Sequence, residues 1–395
     1  GTGLADGDGL MTIARAAAAL AVADEGPIAL FDLLRQRARL EGRIKAGIDT
    51  VLTHGQFILG PEVELLEKRL AAYAGAQHCI AVSSGRDALM IALMAMNVKA
   101  GDAVFVPAFT FAASAASVVS VGATPVFVDV VEETCNMDPA DLERAIAEVK
   151  REGKLVPRAI MPVDLYGLPA DYAAIGAIAA KNNLEILADA AQSFGGVSGN
   201  RRVGSLAAIS ATSFYPTKPL GCYGDGGAIL TESAALAEAV RAIRSHGRTG
   251  SGDAAERLGL TGRLDTIQAA ILLVKLDVFD AELRRRREIA ARYAEGLKGV
   301  VEQQAIPDGM ESAYALYTIR VPGRDGLKAK LDGERIGTGL FYRLALHQHP
   351  AFKGYNARAL PASERLANEV LSLPVHPDLT DGEADRVIEA VRAAL

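Results

Sequence analysis

The sequence predicts an α/β protein in which a mainly parallel sheet is covered by helices on both faces and is followed by a smaller α+β domain. Three observations carry this expectation. Short apolar runs alternate with helical stretches through the first two-thirds of the chain, the pattern of parallel strands buried beneath their crossover helices. At 395 residues, half of them hydrophobic, the chain has the length and the apolar material for two domains of ordinary size. Beyond residue 297 the alternation gives way to one strand-like stretch and two separated helices, which places the domains at 27–296 and 297–395 behind a flexible tail over 1–26.

Taken in order, apolar positions at helical spacing predict a first helix from Ile28 to Thr53, broken by the His54 to Pro61 segment, and a second from Glu62 to Ala74. A strand from His78 to Val82 leads through Ser83, Ser84 and Gly85 into an apolar helix from Ala88 to Met96. The pattern repeats with a strand from Ala103 to Pro107, a small-residue helix from Ala112 to Val121 and a strand from Pro125 to Asp129. Strands from Ala159 to Asp164 and from Leu184 to Ala188 flank a helix from Asp171 to Asn182. Ile209 to Phe214 and Ala228 to Thr231 read as two more strands around a loop rich in proline and glycine. A helix then runs from Glu232 to about Ser245, a glycine-rich mobile segment spans Gly247 to Gly262, and a long interrupted helix runs from Arg263 to about Lys298. The closing part carries a strand-like stretch from Ala313 to Val321, a helix near Leu327 to Leu331 and a last helix from Asp381 to Leu395.

Composition excludes several classes of function. The net charge of −6, with both signs mixed along the chain, is the opposite of a nucleic-acid footprint, and the Arg284 to Arg287 run is expected as a solvated helix face. Cys79, Cys135 and Cys222 are too few and too widely spaced for a disulfide framework or a cysteine zinc site, which suits a reducing, cytoplasmic location. The apolar Leu10 to Ala23 stretch is too short to span a membrane.

In an open α/β sheet, ligands lie at the carboxyl ends of the strands, and the candidate residues collect there, Asp164 and Tyr166 among them. Lys218 sits between Pro216 and Pro219 in a loop with no adjacent carboxylate; a partly desolvated lysine of this kind has a lowered pKa and suits imine formation with a carbonyl. Strand, small-residue turn and helix around Gly85 form an anion-binding arrangement, because free N–H groups at a helix start favour a phosphate, although Ser84 also reads as a simple cap. Asp189 stands at the mouth of its strand, where a buried carboxylate needs a cation or donor; the other reading is that it caps the next turn.

In this order, the segments His54 to Val63, Ser83 to Leu89, Pro107 to Ala113, Asp189 to Gln192, Ser213 to Gly227, Gly262 to Ala270 and Leu373 to Pro377 resemble the pyridoxal-phosphate-dependent aminotransferases of nucleotide-linked keto sugars, the DegT/DnrJ/EryC/StrS type. The resemblance covers Ile28 to Leu395 and implies the aspartate-aminotransferase-like (type I) fold. It assigns pyridoxal 5'-phosphate as cofactor, Lys218 as its imine partner and proton shuttle, and Asp189 as the acid at the ring nitrogen. It further implies Gln192 at the ring oxygen, Phe111 on the ring face, and Gly85 with Ser213 at the phosphate. Glutamate as amino donor, a homodimer with shared active sites and no metal follow from the same resemblance. It is strongest towards enzymes aminating C3 of UDP-2-acetamido-2-deoxy-3-oxo-glucuronic acid, with Phe57, Arg263 and Tyr342 as substrate contacts; other dTDP- or GDP-linked 3- or 4-keto sugars are the alternative. A nicotinamide-dependent sugar dehydrogenase or epimerase is disfavoured, because no G-x-G-x-x-G opens a helix after the first strand.

The chain departs from the family pattern at three places. Arg86 stands where a threonine is usual beside the phosphate-binding glycine, and Thr261 where an asparagine reaches the partner's cofactor. Phe341 stands where the glucuronate enzymes carry histidine. Arg86 is expected to supply locally the phosphate contact for which Thr261 is too short.

Overall fold

The computed structural model describes residues 26–248, 254–355 and 358–395. The expected tail, with its apolar Leu10 to Ala23 stretch, lies outside the described residues except for Gly26, as does the centre of the glycine-rich segment, residues 249–253.

The alternation of apolar runs produces β1 (His78–Val82), β2 (Asp102–Pro107), β3 (Thr124–Val128), β4 (Val156–Ile160) and β5 (Glu185–Asp189). After a short hairpin of β6 (Val197–Ser198) and β7 (Arg201–Arg202) come β8 (Ile209–Ser213) and β9 (Gly227–Thr231). Seven of these form one sheet in the order β1-β9-β8-β5-β4-β2-β3, with only β9 antiparallel to its neighbours. The carboxyl ends of β1, β5 and β8 therefore open on the same edge. One face of the sheet is covered by the helices Gly85–Ala95 and Ala234–Arg244, which pack Leu89, Ile91, Val240 and Ile243 on Ile80, Val104 and Ile229. The helices Pro61–Ala74 and Thr266–Leu276 bury Leu66, Leu70 and Leu272 with Ala81, Ala228 and Leu230.

Toward the C terminus, β10 (Glu302–Gln303), β12 (Tyr317–Arg320) and β13 (Val370–Leu373) make a three-stranded antiparallel sheet, while β11 (Met310–Glu311) joins the β6–β7 hairpin. Ile319, Leu371, Leu327 and Val387 form its core with Ile289, Tyr293 and Leu297.

Several elements differ from expectation. The first helix begins at Leu33, because Asp32 caps it by accepting from the Arg35 N–H at 3.0 Å, while Ile28 leaves the helical pattern to pair with Ile336. The helix expected from Arg263 starts at Thr266, since Arg263 and Asp265 form extended bridges to Val82 and Ile58. An unforeseen helix, Pro139–Glu152, crosses from β3 to β4, capped by Asp138 with proline at its first turn. The arginine run is not uniformly solvated: Arg286 is buried and donates to the carbonyls of Tyr314 and Val375, both at 3.1 Å. Burial in this apolar surrounding pulls its guanidinium down to about 10.

Candidate active site

A cavity of about 550 Å³ opens at the carboxyl ends of the parallel strands, and Gly85, Arg86, Phe111, Asp189, Gln192, Ser213, Lys218 and Tyr342 all line it. Residues as far apart in sequence as 85 and 342 meet there because β1, β5 and β8 end on one edge and the segment around Tyr342 closes over it.

One corner is built for an anion. Ser84 caps the helix Gly85–Ala95 by accepting from the Asp87 N–H at 3.0 Å, so the capping reading is correct. The cap leaves the earliest N–H groups of that helix without intrahelical partners, and they remain available to a phosphate. A Cβ on Gly85 would lie 2.6 Å from the Ser213 Cβ, so only glycine lets the helix start come this close to the Ser213 hydroxyl. Arg86 is exposed at the rim, where its guanidinium donates to the Ser120 Oγ at 3.0 Å.

The opposite side carries the acid and the amine. Asp189 is the last residue of β5 and is buried, accepting from the Ser114 hydroxyl at 2.7 Å and from the Ala191 N–H at 3.2 Å. Burial pushes its carboxyl up against the pull of those donors and of Lys218. Lys218 is partly exposed by surface area, through its opening to the cavity, yet protein encloses its amine. Burial brings that amine down to about 8, a shift that Asp189 opposes. Desolvation thus outweighs mutual attraction for both groups, and a cationic ring nitrogen beside Asp189 would favour its charged form. Ser114 carries no motif; only the fold brings it behind Asp189. Asp164, fully buried nearby, binds Ser193, Tyr172 and the Ala170 N–H and is pushed up to about 6, chiefly by burial.

The third wall is aromatic and amide. The Gln192 carbonyl accepts from the Tyr166 N–H at 2.7 Å, and its amide nitrogen donates to the Tyr342 hydroxyl at 3.1 Å. Phe111 is 58% exposed, with its ring tilted 31° to that of Tyr342 at 5.8 Å, and so offers a flat apolar face to the cavity.

Three expected residues lie off this lining. Phe57 is 48% exposed, Thr261 is exposed with its hydroxyl 3.3 Å from the His246 ring, and Arg263 bridges to Val82 with a buried Nε that has no partner.

The lining residues fit pyridoxal phosphate. The glycine cradle admits a phosphate, the buried acid needs a cation, the amine has a lowered pKa, and the exposed ring lacks a cover. A family model described as the DegT/DnrJ/EryC1/StrS aminotransferase family matches residues 39–392. The chain belongs to this family. It is 45% identical over 353 residues to the UDP-2-acetamido-2-deoxy-3-oxo-D-glucuronate aminotransferase of Pseudomonas aeruginosa, covering 89% of this chain and 96% of that one. Its fold matches a crystal structure of a family aminotransferase from Brucella abortus with a TM-score of 0.91 at 48% identity, covering 93% of this chain and 99% of the other. It also matches the pyridoxal-phosphate form of a sugar aminotransferase described as putative, from Streptococcus pneumoniae, with a TM-score of 0.83 at 27% identity over 89% and 96% of the two chains.

Proposed function

We propose that this protein moves an amino group from glutamate to C3 of UDP-2-acetamido-2-deoxy-3-oxo-glucuronic acid. The observation that carries the reaction class is that the Lys218 amine and Asp189 lie in one cavity, close enough to interact electrostatically, together with a glycine cradle. The sugar rests on the 45% identity to the glucuronate enzyme.

Pyridoxal phosphate, when bound, supplies the aldehyde and the electron-accepting ring. The chain supplies position and protons. The N–H groups at the start of the helix Gly85–Ala95 and the Ser213 hydroxyl would hold the phosphate, with Arg86 at the rim adding charge. Asp189, held by Ser114, would keep the ring nitrogen protonated, and the Gln192 amide nitrogen, which donates one hydrogen to the Tyr342 hydroxyl, would offer its other to the ring oxygen. Lys218, whose amine burial brings down to about 8, would be the residue that holds the cofactor's aldehyde end, and its Nζ would take and return a proton there.

The reading includes a homodimer in which Phe57, Thr261 and Arg263 serve the second copy's site. The exposed apolar run of Phe57, Ile58 and Leu59, at 48%, 46% and 42%, supports an interface at that edge. The division into a cofactor-binding part over 27–296 and a smaller part over 297–395 belongs to the same reading, as does a cytoplasmic location, which the three unpaired buried cysteines support. Among the described residues no helix is long and apolar enough to cross a membrane.

Incubation of the purified protein with glutamate and a panel of UDP-, dTDP- and GDP-linked keto sugars tests the assignment. Fastest amination of the UDP-linked 3-oxo-glucuronate is expected; preference for a dTDP- or GDP-linked sugar would reassign the acceptor.

A further inference from the structure

Tyr166 belongs to neither the lining nor the family motifs, yet it joins the amide and the aromatic parts of the third wall of the cavity. It is fully buried, and its backbone sits at φ 63 in the turn that follows β4. A bulky residue in the left-handed region is strained and persists only where its surroundings hold it there. Both of its ends are committed. Its N–H donates to the Gln192 Oε1 at 2.7 Å, and its phenol donates to the carbonyl of Phe341, 175 residues away in sequence. The Gln192 Nε2 donates in turn to the Tyr342 hydroxyl at 3.1 Å. Since Phe341 and Tyr342 are covalent neighbours, these bonds close a ring through Tyr166, Gln192, Tyr342 and Phe341.

We propose that Tyr166 is a positioning residue that fixes the orientation of Gln192 and locks the Phe341–Tyr342 wall to it, so that cofactor and keto-sugar contacts are set together. The inference rests on the aminotransferase reading of the cavity. A main-chain N–H only donates, so it selects the carbonyl end of the Gln192 amide and turns the nitrogen toward Tyr342 and the cavity. Burial holds the Tyr166 and Tyr342 phenols well above their usual range, so both stay protonated, the first donating to Phe341 and the second accepting from Gln192. The link from the phenol to Phe341 then fixes where the sugar-facing wall stands.

Tyr166→Phe removes that link and leaves the N–H in place. In the holoenzyme, KM for the keto sugar is expected to rise about tenfold, while cofactor affinity and the glutamate half-reaction stay within about twofold. Combined with Tyr342→Phe, which opens the same ring, the double variant is expected to be no worse than the worse single one. An unchanged KM, equal losses in both half-reactions, or additive effects would overturn the proposal. Should Tyr166→Phe fail to fold, amide exchange at Tyr166 in the Tyr342→Phe holoenzyme decides: exchange about tenfold faster supports the ring, and unchanged exchange overturns it. Absence of any amino transfer by the wild-type protein would instead refute the functional reading itself.

Discussion

Ser114→Ala deletes one hydroxyl, the one that donates to the Asp189 Oδ2 at 2.7 Å. Both partners are buried, at 1% and 4% exposure, so water cannot substitute freely for the lost donor. A hydrogen bond to a charged group contributes about 1.5–3 kcal/mol, and the Ala191 N–H, at 3.2 Å, remains as the other protein donor to that carboxylate. Without that donor the Asp189 carboxyl should rise further, at a cost of up to about 1.5–3 kcal/mol. Its hold on a protonated ring nitrogen weakens by the same amount, and the half-reaction with glutamate should slow by about ten- to a hundredfold. Rapid mixing of holoenzyme with glutamate, followed by the visible absorbance of the bound cofactor, reads this rate directly. Ser117→Ala is the control, since the Ser117 hydroxyl donates to the Ser114 carbonyl instead of to Asp189. A Ser114→Ala rate within about twofold of wild type, with cofactor bound, would refute the role given to Asp189 and its supporting hydroxyl.

Two further expectations follow from the same geometry. Only the neutral amine attacks a carbonyl, so capture of pyridoxal phosphate by the cofactor-free protein should speed up with pH and level off just above about 8; a rate still climbing towards the ordinary lysine value of about 10.5 would contradict the burial of Lys218. Arg86→Ala should weaken cofactor binding by about threefold to tenfold in a spectroscopic titration, the range for one exposed charge near a helix start, and unchanged affinity would leave Arg86 to Ser120 and solvent alone.

Most of the sheet was legible because buried parallel strands are continuous apolar runs, and their carboxyl ends located Asp189, Ser213 and the turn at Gly85 without any contact information. Lys218 was legible from its proline brackets, and its lowered pKa agrees with that reading. Ser114 was not, because it lies 75 residues from the carboxylate it holds and its neighbours read only as a small-residue helix. Tyr166 was legible only as a strand-end candidate, because its importance lies in a strained backbone and in a partner reached through folding. The Pro139–Glu152 helix did carry a local signal, Asp138 followed by proline, but its many charged residues hide a narrow buried stripe of Leu142, Ala145 and Ile146. Arg286 shows the limit of charge counting, since a run of four arginines on one helix places consecutive residues on different faces and buries one of them.

The central claim is that Lys218 carries pyridoxal phosphate for amino transfer, and a single titration tests it most directly. Wild-type protein loaded with the cofactor is expected to be yellow, to lose its visible band on adding glutamate with release of one equivalent of 2-oxoglutarate, and to regain the band on adding the keto sugar. Lys218→Ala should not perform that cycle. A wild-type protein that stays colourless with added cofactor, or whose band ignores glutamate, would contradict the account.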